Sequence, residues 1–213
     1  MRFVLIAAAS CMAASCASMS KDECLYADWR AVGFEDGAVG AAASAISPRR
    51  QACAKVGVTP DTVAYLDGRE AGLFEYCTPS NGFSAGESGV SYSGVCARHG
   101  EASFLDEYRA GAHLYLLRDR VRNADYALYD ATEDLVAVNT AMTHAATALV
   151  RPDISIAERA AHVVDLTRLS DESERIERAI PALRTSLDIA EAELAAYQSQ
   201  LASRPWPALV AAR

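Results

Sequence analysis

The spacing of apolar residues predicts a chain made mainly of α-helices. In the second half of the sequence, apolar residues recur every seven positions from Leu114 to Leu149. A second row, rich in alanine, follows three residues after each of them. A similar pair of rows runs from Leu166 to Leu201. Both patterns are typical of the seam along which two helices pack in a coiled coil.

Only a short break separates the two seams. It holds the turn sequence Arg151-Pro152-Asp153 and a capping box, Ser155-x-x-Glu158, that restarts a helix. Because so few residues join long helices only as antiparallel neighbours, residues 113–203 are predicted to form an antiparallel, coiled-coil-like hairpin. Residues 204–213 would be a C-terminal tail.

One proline interrupts the second seam. Pro181 would remove a backbone hydrogen bond inside the helix, at a cost of about 3 kcal/mol. Two outcomes stay open: a helix kinked at Pro181, or a true break after Ser170-Asp171-Glu172.

Shorter, glycine-containing helices are predicted in a head at residues 16–112. A capping box at Ser20-Lys21-Asp22-Glu23 starts a helix that should reach about Ser44. A short helix follows at 49–55, and Thr59-Pro60-Asp61 opens another that ends at Cys77. Two glycine pairs, each four residues apart, lie on single helix faces and indicate the close approach of another backbone. These pairs are Gly33 with Gly37 and Gly68 with Gly72.

The segment from Thr78 to Gly100 is rich in Gly and Ser, with Val90, Tyr92 and Val95 alternating. It is predicted as a loop or short hairpin, after which a helix begins near an N-cap at Ser103. The predicted fold class is therefore mostly α: a small disulfide-linked head followed by a long helical hairpin.

The N-terminus has the pattern of an export signal. Met1-Arg2 precedes a short apolar run, and small residues lead to Cys16. The ending Ala13-Ala14-Ser15-Cys16 resembles the lipobox of bacterial lipoproteins. That resemblance implies a signal peptide at 1–15, cleavage before Cys16 and acyl chains on Cys16 that bind the lipid bilayer. Ala17 after Cys16 favours the outer membrane, facing the periplasm. The alternative is an ordinary cleaved signal that releases a soluble periplasmic protein.

Four cysteines remain after Cys11 and Cys16 are set aside: Cys24, Cys53, Cys77 and Cys96. An even set in an exported protein predicts two disulfides, for which three pairings are open. We favour Cys77–Cys96, which closes the glycine-rich segment, and with it Cys24–Cys53. No CxxC spacing occurs, so no metal site is predicted.

The net charge of the chain and its lack of a phosphate-loop motif exclude some classes of binding partner. The chain carries a net charge of −8, which disfavours nucleic acid and anionic lipid head groups as main partners. No lysine follows Gly82, Gly86 and Gly89 in the manner of a phosphate loop, and no cofactor is predicted.

Residues that could carry chemistry are few. The candidates for a functional surface are Asp28, Trp29, Asp67, Arg69 and His99. His99 and Glu101 could form a base–acid pair, but ordinary loop polarity is the favoured interpretation. His144 and His162 flank the hairpin turn, yet the heptad places His162 inward and His144 outward, which argues against a shared metal ion.

Several motifs of the head resemble the bacterial envelope lipoprotein family known as domain of unknown function 2799. They span residues 20–115: Cys24-x₃-Asp28-Trp29-x₃-Gly33-x₂-Asp36-Gly37-x₂-Gly40, Tyr65-x₂-Gly68-x₃-Gly72-Leu73-x₂-Tyr76-Cys77, Tyr92-x-Gly94-Val95-Cys96 and Phe104-x₃-Tyr108-x₂-Gly111. The resemblance implies a helical, cysteine-containing envelope domain, and it implies no activity.

Two main classes of function follow, beside a third interpretation, a small-ligand carrier with Trp29, Tyr65 and Tyr92 as its pocket, for which core packing of these aromatics is the favoured explanation. The favoured class is a non-enzymatic, lipid-anchored envelope protein whose hairpin contacts another envelope protein or a second copy. The alternative is an envelope enzyme acting on cell-wall material, with a site near residues 78–115.

Overall fold

A computed structural model describes residues 19–204 of the protein, and within that range all regular structure is helical. The mostly α fold is therefore confirmed. The export signal, Cys16 and tail residues 205–213 lie outside the described residues. The helices are α1 Lys21–Tyr26, α2 Trp29–Ala38, α3 Ile46–Ala54, α4 Thr62–Tyr76, α5 Pro79–Glu87, α6 Glu101–Leu149 and α7 Ile156–Ser203, with a 3₁₀ turn at Ala43–Ala45 before α3.

The described chain divides into two compact units. The first contains the described residues up to Gly82 together with Ser91–Asp106. The second contains Phe83–Val90 and the described residues from Glu107 onward. The hairpin unit thus takes in Phe83–Val90, which the predicted boundary at 112/113 assigned to the head. No helix within residues 19–204 is long and apolar enough to span a membrane.

The prediction of one helix from Ser20 to about Ser44 is wrong. The Ser20 capping box is present, but α1 ends at Tyr26 and α2 begins at Trp29. The cause is Asp28, whose carboxylate accepts hydrogen bonds from the backbone N–H groups of Arg30 (3.0 Å) and Ala31 (3.1 Å). An aspartate that caps a helix in this way adopts extended backbone, which interrupts a continuous helix.

Other helix starts also differ from the sequence-based expectation. Asp61, and not Thr59, caps α4 by accepting from the N–H groups of Val63 and Ala64. Residues 79–87 form α5 where a loop or hairpin was expected; only the segment after it is irregular. Finally, α6 begins at Glu101, so Ser103 lies within its first turn and is not its N-cap.

Glycines allow α2 and α4 to pack backbone against backbone. A Cβ added to Gly68 would lie 1.9 Å from the carbonyl oxygen of Arg30, and one added to Gly72 would lie 2.1 Å from that of Phe34. From the other side, Cβ atoms on Gly33 and Gly37 would meet the carbonyl oxygens of Tyr65 and Arg69 at 2.0 and 2.2 Å. The close approach that the paired glycines predicted is therefore confirmed. No side chain larger than glycine fits at these four positions.

The same glycine device occurs a second time, between α5 and α6. Gly82, Gly86 and Gly89 repeat the spacing of Gly33, Gly37 and Gly40, and Gly111 corresponds to Gly72. A Cβ on Gly111 would lie 2.1 Å from the carbonyl oxygen of Phe83, as one on Gly72 does from that of Phe34. This contact explains why residues 79–87 are helical despite their Gly and Ser content.

The ends of the two glycine helices also correspond. Gly40 and Gly89 both have φ of +71°, and each faces a tyrosine ring, Tyr76 and Tyr115 respectively. Positive φ is the left-handed region that only glycine enters without strain. The resemblance therefore extends from the helix contact to the turn that follows it.

The long helices α6 and α7 pack antiparallel, as the two seams predicted. Residues later in α6 contact residues earlier in α7. Near the start of α6, Glu107 binds Arg204 (2.6 Å) and the Ala110 carbonyl accepts from the Tyr197 hydroxyl (2.9 Å). Farther along α6, Arg120 pairs with Glu193, and Asn139 accepts from the Ser173 hydroxyl (3.2 Å). Every predicted seam position is buried or half-buried. The Ser155 capping box restarts the helix, and Arg159 donates to the carbonyl of Leu149 at the end of α6.

Pro181 does not break α7, which continues from Ile156 to Ser203. The proline is exposed and lies off the seam. The break considered after Glu172 is therefore absent. The lost hydrogen bond falls on the solvent side, where water can satisfy the freed carbonyl.

Replacement of Gly68 by alanine tests the backbone contact between α2 and α4. Helix propensity alone would make Gly68→Ala stabilising by about 1 kcal/mol. We expect the opposite sign, a loss of at least about 2 kcal/mol in the free energy of unfolding, because the new methyl group collides with the backbone of Arg30. Urea unfolding measures the change, and exposed Glu75→Ala on the same helix serves as the control. A gain in stability would show that the helices are not in contact there.

Candidate functional site

The two disulfides fix the head around its functional candidates. Cys24 bonds Cys53 and Cys77 bonds Cys96, with Cα atoms 5.4 and 5.5 Å apart. This is the pairing favoured from the sequence. The bridges close segments of 29 and 19 residues, and each restricts the unfolded chain by an amount worth about 3 kcal/mol.

The first disulfide lies in the core of the head. Cys24 and Cys53 pack with Trp29, Ile46 and Tyr65. Trp29, a candidate for a functional surface, is only 8% exposed and is therefore a core residue. Asp28 is the N-cap of α2, and Asp67 is exposed with no hydrogen-bond or ion-pair partner among residues 19–204. Neither aspartate joins the other candidates.

A polar network that the sequence did not indicate links α2, α3 and α4. Asp36 accepts two hydrogen bonds from the Arg49 guanidinium (2.5 and 3.0 Å) and one from the Tyr65 hydroxyl (2.6 Å). Asp36 and Arg49 are 13 positions apart, so no local pattern pairs them. Burial and the bond to Asp36 raise the pKa of Tyr65 to about 12, and Asp36 raises the pKa of Arg49. Every polar group here is satisfied, which is typical of a structural network.

Arg69 and His99 are the two candidates that the structure brings together. They line a cavity of about 340 Å³ between α4, the chain after α2 and the loop closed by the second disulfide. The lining residues are Ala42, Ala43, Arg69, Glu70, Leu73, Ser93, Gly94, Val95, Ala97, Arg98 and His99. Arg98 was not identified from the sequence, because an arginine in a polar loop carries no distinguishing signal.

The His99 ring is deeply buried yet poorly satisfied. Its side chain is 4% exposed and packs edge-to-face on Phe74, with ring centroids 4.5 Å apart. Nε2 lies 3.1 Å from a carboxylate oxygen of Glu70, but not in line for a hydrogen bond. Nδ1 has no hydrogen-bond partner among the described residues. Buried ring nitrogens normally have partners, so this histidine is a departure from ordinary packing.

Tyr92 holds the loop that carries His99. Its hydroxyl accepts from the Cys96 N–H (2.9 Å) and donates to Glu101 (2.8 Å), and burial raises the pKa of Tyr92. Glu101 is thus engaged with Tyr92. The base–acid pair considered for His99 and Glu101 does not form; Glu70 is the carboxylate beside His99.

The outer face of α6 is the second surface of interest. An exposed stripe, here called the outer stripe, follows helical spacing opposite the seam. It comprises Tyr126, Tyr129, Val136, Thr140, Thr143, Thr147 and, directly after the helix, Val150; the exposed Glu133 lies at the same spacing. Its four largest residues are 59–80% exposed, and no Asp, Glu, Lys or Arg occurs between Leu135 and Val150.

The threonines of the outer stripe present less polar surface than threonine side chains usually do. The hydroxyls of Thr140, Thr143 and Thr147 donate to the backbone carbonyls four residues earlier, at 2.8 to 2.9 Å. A hydroxyl satisfied within its own helix leaves the methyl group to face outward. The stripe therefore presents an apolar surface from Val136 to Val150, which the exposed Glu133 separates from Tyr126 and Tyr129.

Metal binding finds no support at the hairpin turn. His144 is exposed and His162 half-buried, as the heptad indicated. Within residues 19–204, no group of three or more His, Cys, Asp or Glu side chains is arranged to hold a metal ion.

The architecture defines a class: an all-helical protein with a disulfide-linked, glycine-packed head and a long helical hairpin. Residues 28–113 match the model of the family described as "Protein of unknown function (DUF2799)". This match confirms the family resemblance that the motifs of the head predicted. No curated protein and no solved structure matches the chain significantly.

The Tyr65 hydroxyl offers a test of the polar network. We expect Tyr65→Phe to lower the free energy of unfolding by about 1–2 kcal/mol, because Asp36 loses a buried hydrogen bond. Since folded Tyr65 holds its proton to about pH 12, against 10.0 for a free tyrosine, its contribution is present below pH 10 and disappears as the pH rises through that window. Urea unfolding across this range measures both effects. Tyr26→Phe, at an 84% exposed position, should leave stability unchanged.

Proposed function

We propose that this protein is a lipid-anchored cell-envelope protein without enzymatic activity, whose helical hairpin associates with the hairpin of a second copy. Cys16 carries the lipid in this proposal, and the outer membrane, on its periplasmic side, is the location. The observation that carries the proposal is the apolar outer stripe of α6. The enzyme alternative stays a prediction for the region 78–115.

The disulfides support an oxidising compartment. All four cysteines within residues 19–204 are paired, and three of them are at most 1% exposed. Disulfides of this kind form and persist in exported proteins and are rare in the cytosol. The export signal and lipobox pattern at 1–16 point the same way, from independent residues.

Association of two copies is supported by the geometry of the outer stripe. It extends from Tyr126 to Val150, about 36 Å along the helix. Its spacing is that of a packing seam, and from Val136 to Val150 it carries no Asp, Glu, Lys or Arg, so its natural partner is another uncharged helix face with matching spacing. The chain itself supplies such a helix. Two antiparallel outer stripes aligned end to end would place Thr140 and Thr147 of one opposite Val136 and Tyr129 of the other, in a symmetric, self-complementary contact.

Lipid attachment is tested by removing the acceptor sulfur. We expect intact-mass spectrometry of the mature protein to show a chain that begins at Cys16 and carries acyl chains. Cys16→Ser should transfer the protein from the membrane to the soluble fraction, because acyl burial supplies the anchor. Cys11→Ser is the matched control and should remain with the membranes. Finding the native chain in the cytoplasm with its leader uncut and its thiols free would contradict the proposal.

Self-association is tested by placing one charge on the outer stripe. We expect the full chain to dimerise in analytical ultracentrifugation and Thr140→Lys to weaken the dimer at least about tenfold, because a buried unpaired charge is costly at an interface. Thr185→Lys is a matched control, since Thr185 is also exposed and also donates to the carbonyl four residues earlier. A wild-type chain that stays monomeric, or a Thr140→Lys chain that dimerises as well as wild type, would refute this part.

A further inference from the structure

We propose that the cavity beneath the second disulfide loop binds a small ligand through an oxyanion group, a carboxylate or a phosphate, held by Arg69, Arg98 and His99. The proposal is independent of the lipid anchor and of self-association. It rests on the charges that line the cavity, on the unsatisfied histidine and on a comparison between the two glycine helix pairs.

The guanidinium of Arg69 has more donors than its structural contact uses. Its Nε donates to the carbonyl of Ala41 (2.8 Å), just after the glycine that ends α2. In the second helix pair the corresponding residue is Tyr108, whose hydroxyl donates to the carbonyl of Val90 (3.0 Å). A single donor is therefore enough for this structural contact. Arg69 supplies it and brings two more nitrogens, for which no hydrogen bond is found among residues 19–204.

Positive charge is concentrated at the cavity, where Arg98 joins Arg69. Arg98 lines the cavity and is exposed, with no ion-pair or hydrogen-bond partner in the described chain. The one carboxylate on the cavity wall, Glu70, lies beside His99 and is 46% exposed. Two guanidinium groups therefore face the cavity against one carboxylate, in a chain whose net charge is −8. Guanidinium groups match carboxylate and phosphate oxygens in geometry as well as in charge.

The ring of His99 is a buried polar group that a ligand would satisfy. A buried imidazole without a hydrogen-bond partner costs free energy, unless a bound group satisfies it. Nδ1 is unpartnered within the described chain, Nε2 is misaligned with Glu70, and the ring lines the cavity. An oxyanion beside the ring would accept a hydrogen bond from it.

The wall of the cavity sets the size of the ligand. Its volume of about 340 Å³ is at the lower end of the range for small-molecule sites. Leu73, Val95 and three alanines line the rest, so a short aliphatic portion fits beside the oxyanion. The disulfide Cys77–Cys96 and the Tyr92 hydrogen bonds hold the loop in position, which lowers the entropy lost on binding.

The test is an NMR titration of the full chain with inorganic phosphate and, separately, with succinate, each against sodium chloride at matched ionic strength. We expect saturable shifts of the backbone amides of Ala42, Ala43 and residues 93–99. Arg98→Ala should weaken binding about tenfold, because one charge-assisted contact is lost. Arg98 is exposed, so this variant should keep the fold, which the rest of the amide spectrum reports.

Arg184→Ala removes the same charge from an exposed position on α7 and should bind as the wild type does. Saturable shifts with phosphate alone identify a phosphate ligand, with succinate alone a carboxylate ligand, and with both a site for either oxyanion. No shift beyond that of sodium chloride, or an Arg98→Ala chain that binds like the wild type, would overturn the proposal.

Discussion

The contact of one helix backbone with another is the constraint on which the head depends. At Gly33, Gly37, Gly68 and Gly72 the facing carbonyl oxygens stand about 2 Å from where a Cβ would be. Each glycine lowers helix propensity by about 1 kcal/mol, so the helices are weak alone and depend on this contact. The repeated use of the same device in α5 and α6 shows a single packing solution employed twice. The family match at residues 28–113 covers both instances.

The two glycine-packed helix pairs differ in the residues that surround them. These differences identify residues that the helix packing does not itself require. Asp36 and Tyr65 of the first pair correspond by spacing to Ala85 and Phe104 of the second, which have no such polar groups. The glycine contact therefore forms with or without the polar network. The connecting segments differ as well: α3 and its disulfide follow the first glycine helix, whereas an irregular disulfide-closed loop follows the second. That loop brings Arg98 and His99 to Arg69.

The fold follows from the sequence where a hydrophobic pattern is long and repeated. The heptad rows from Leu114 to Leu201 predicted both hairpin helices and their buried faces, because each position is reinforced by many equivalents. The pattern does not predict the helix bounds where a local cap or a distant contact overrides helix propensity. The cap formed by Asp28 ends a helix that propensity would continue, and α5 is helical because Gly82 and Gly86 meet a partner far along the chain. Cavity residues such as Arg98 could not be predicted from the sequence, because only the folded loop brings them next to Arg69 and His99.

The apolar character of the outer stripe is not evident from its amino-acid composition. Four threonines between residues 132 and 147 look polar in the sequence, and a hydropathy pattern treats them as solvated. In the helix, each hydroxyl binds a carbonyl three or four residues earlier, so it no longer requires water. Three of the four lie in the stripe with Val136 and Val150. Were the face selected only for solubility, charged residues would serve better, as they do on most of α7. The uncharged part of the face, from Val136 to Val150, with its internally satisfied hydroxyls, is instead what a second helix needs for close packing.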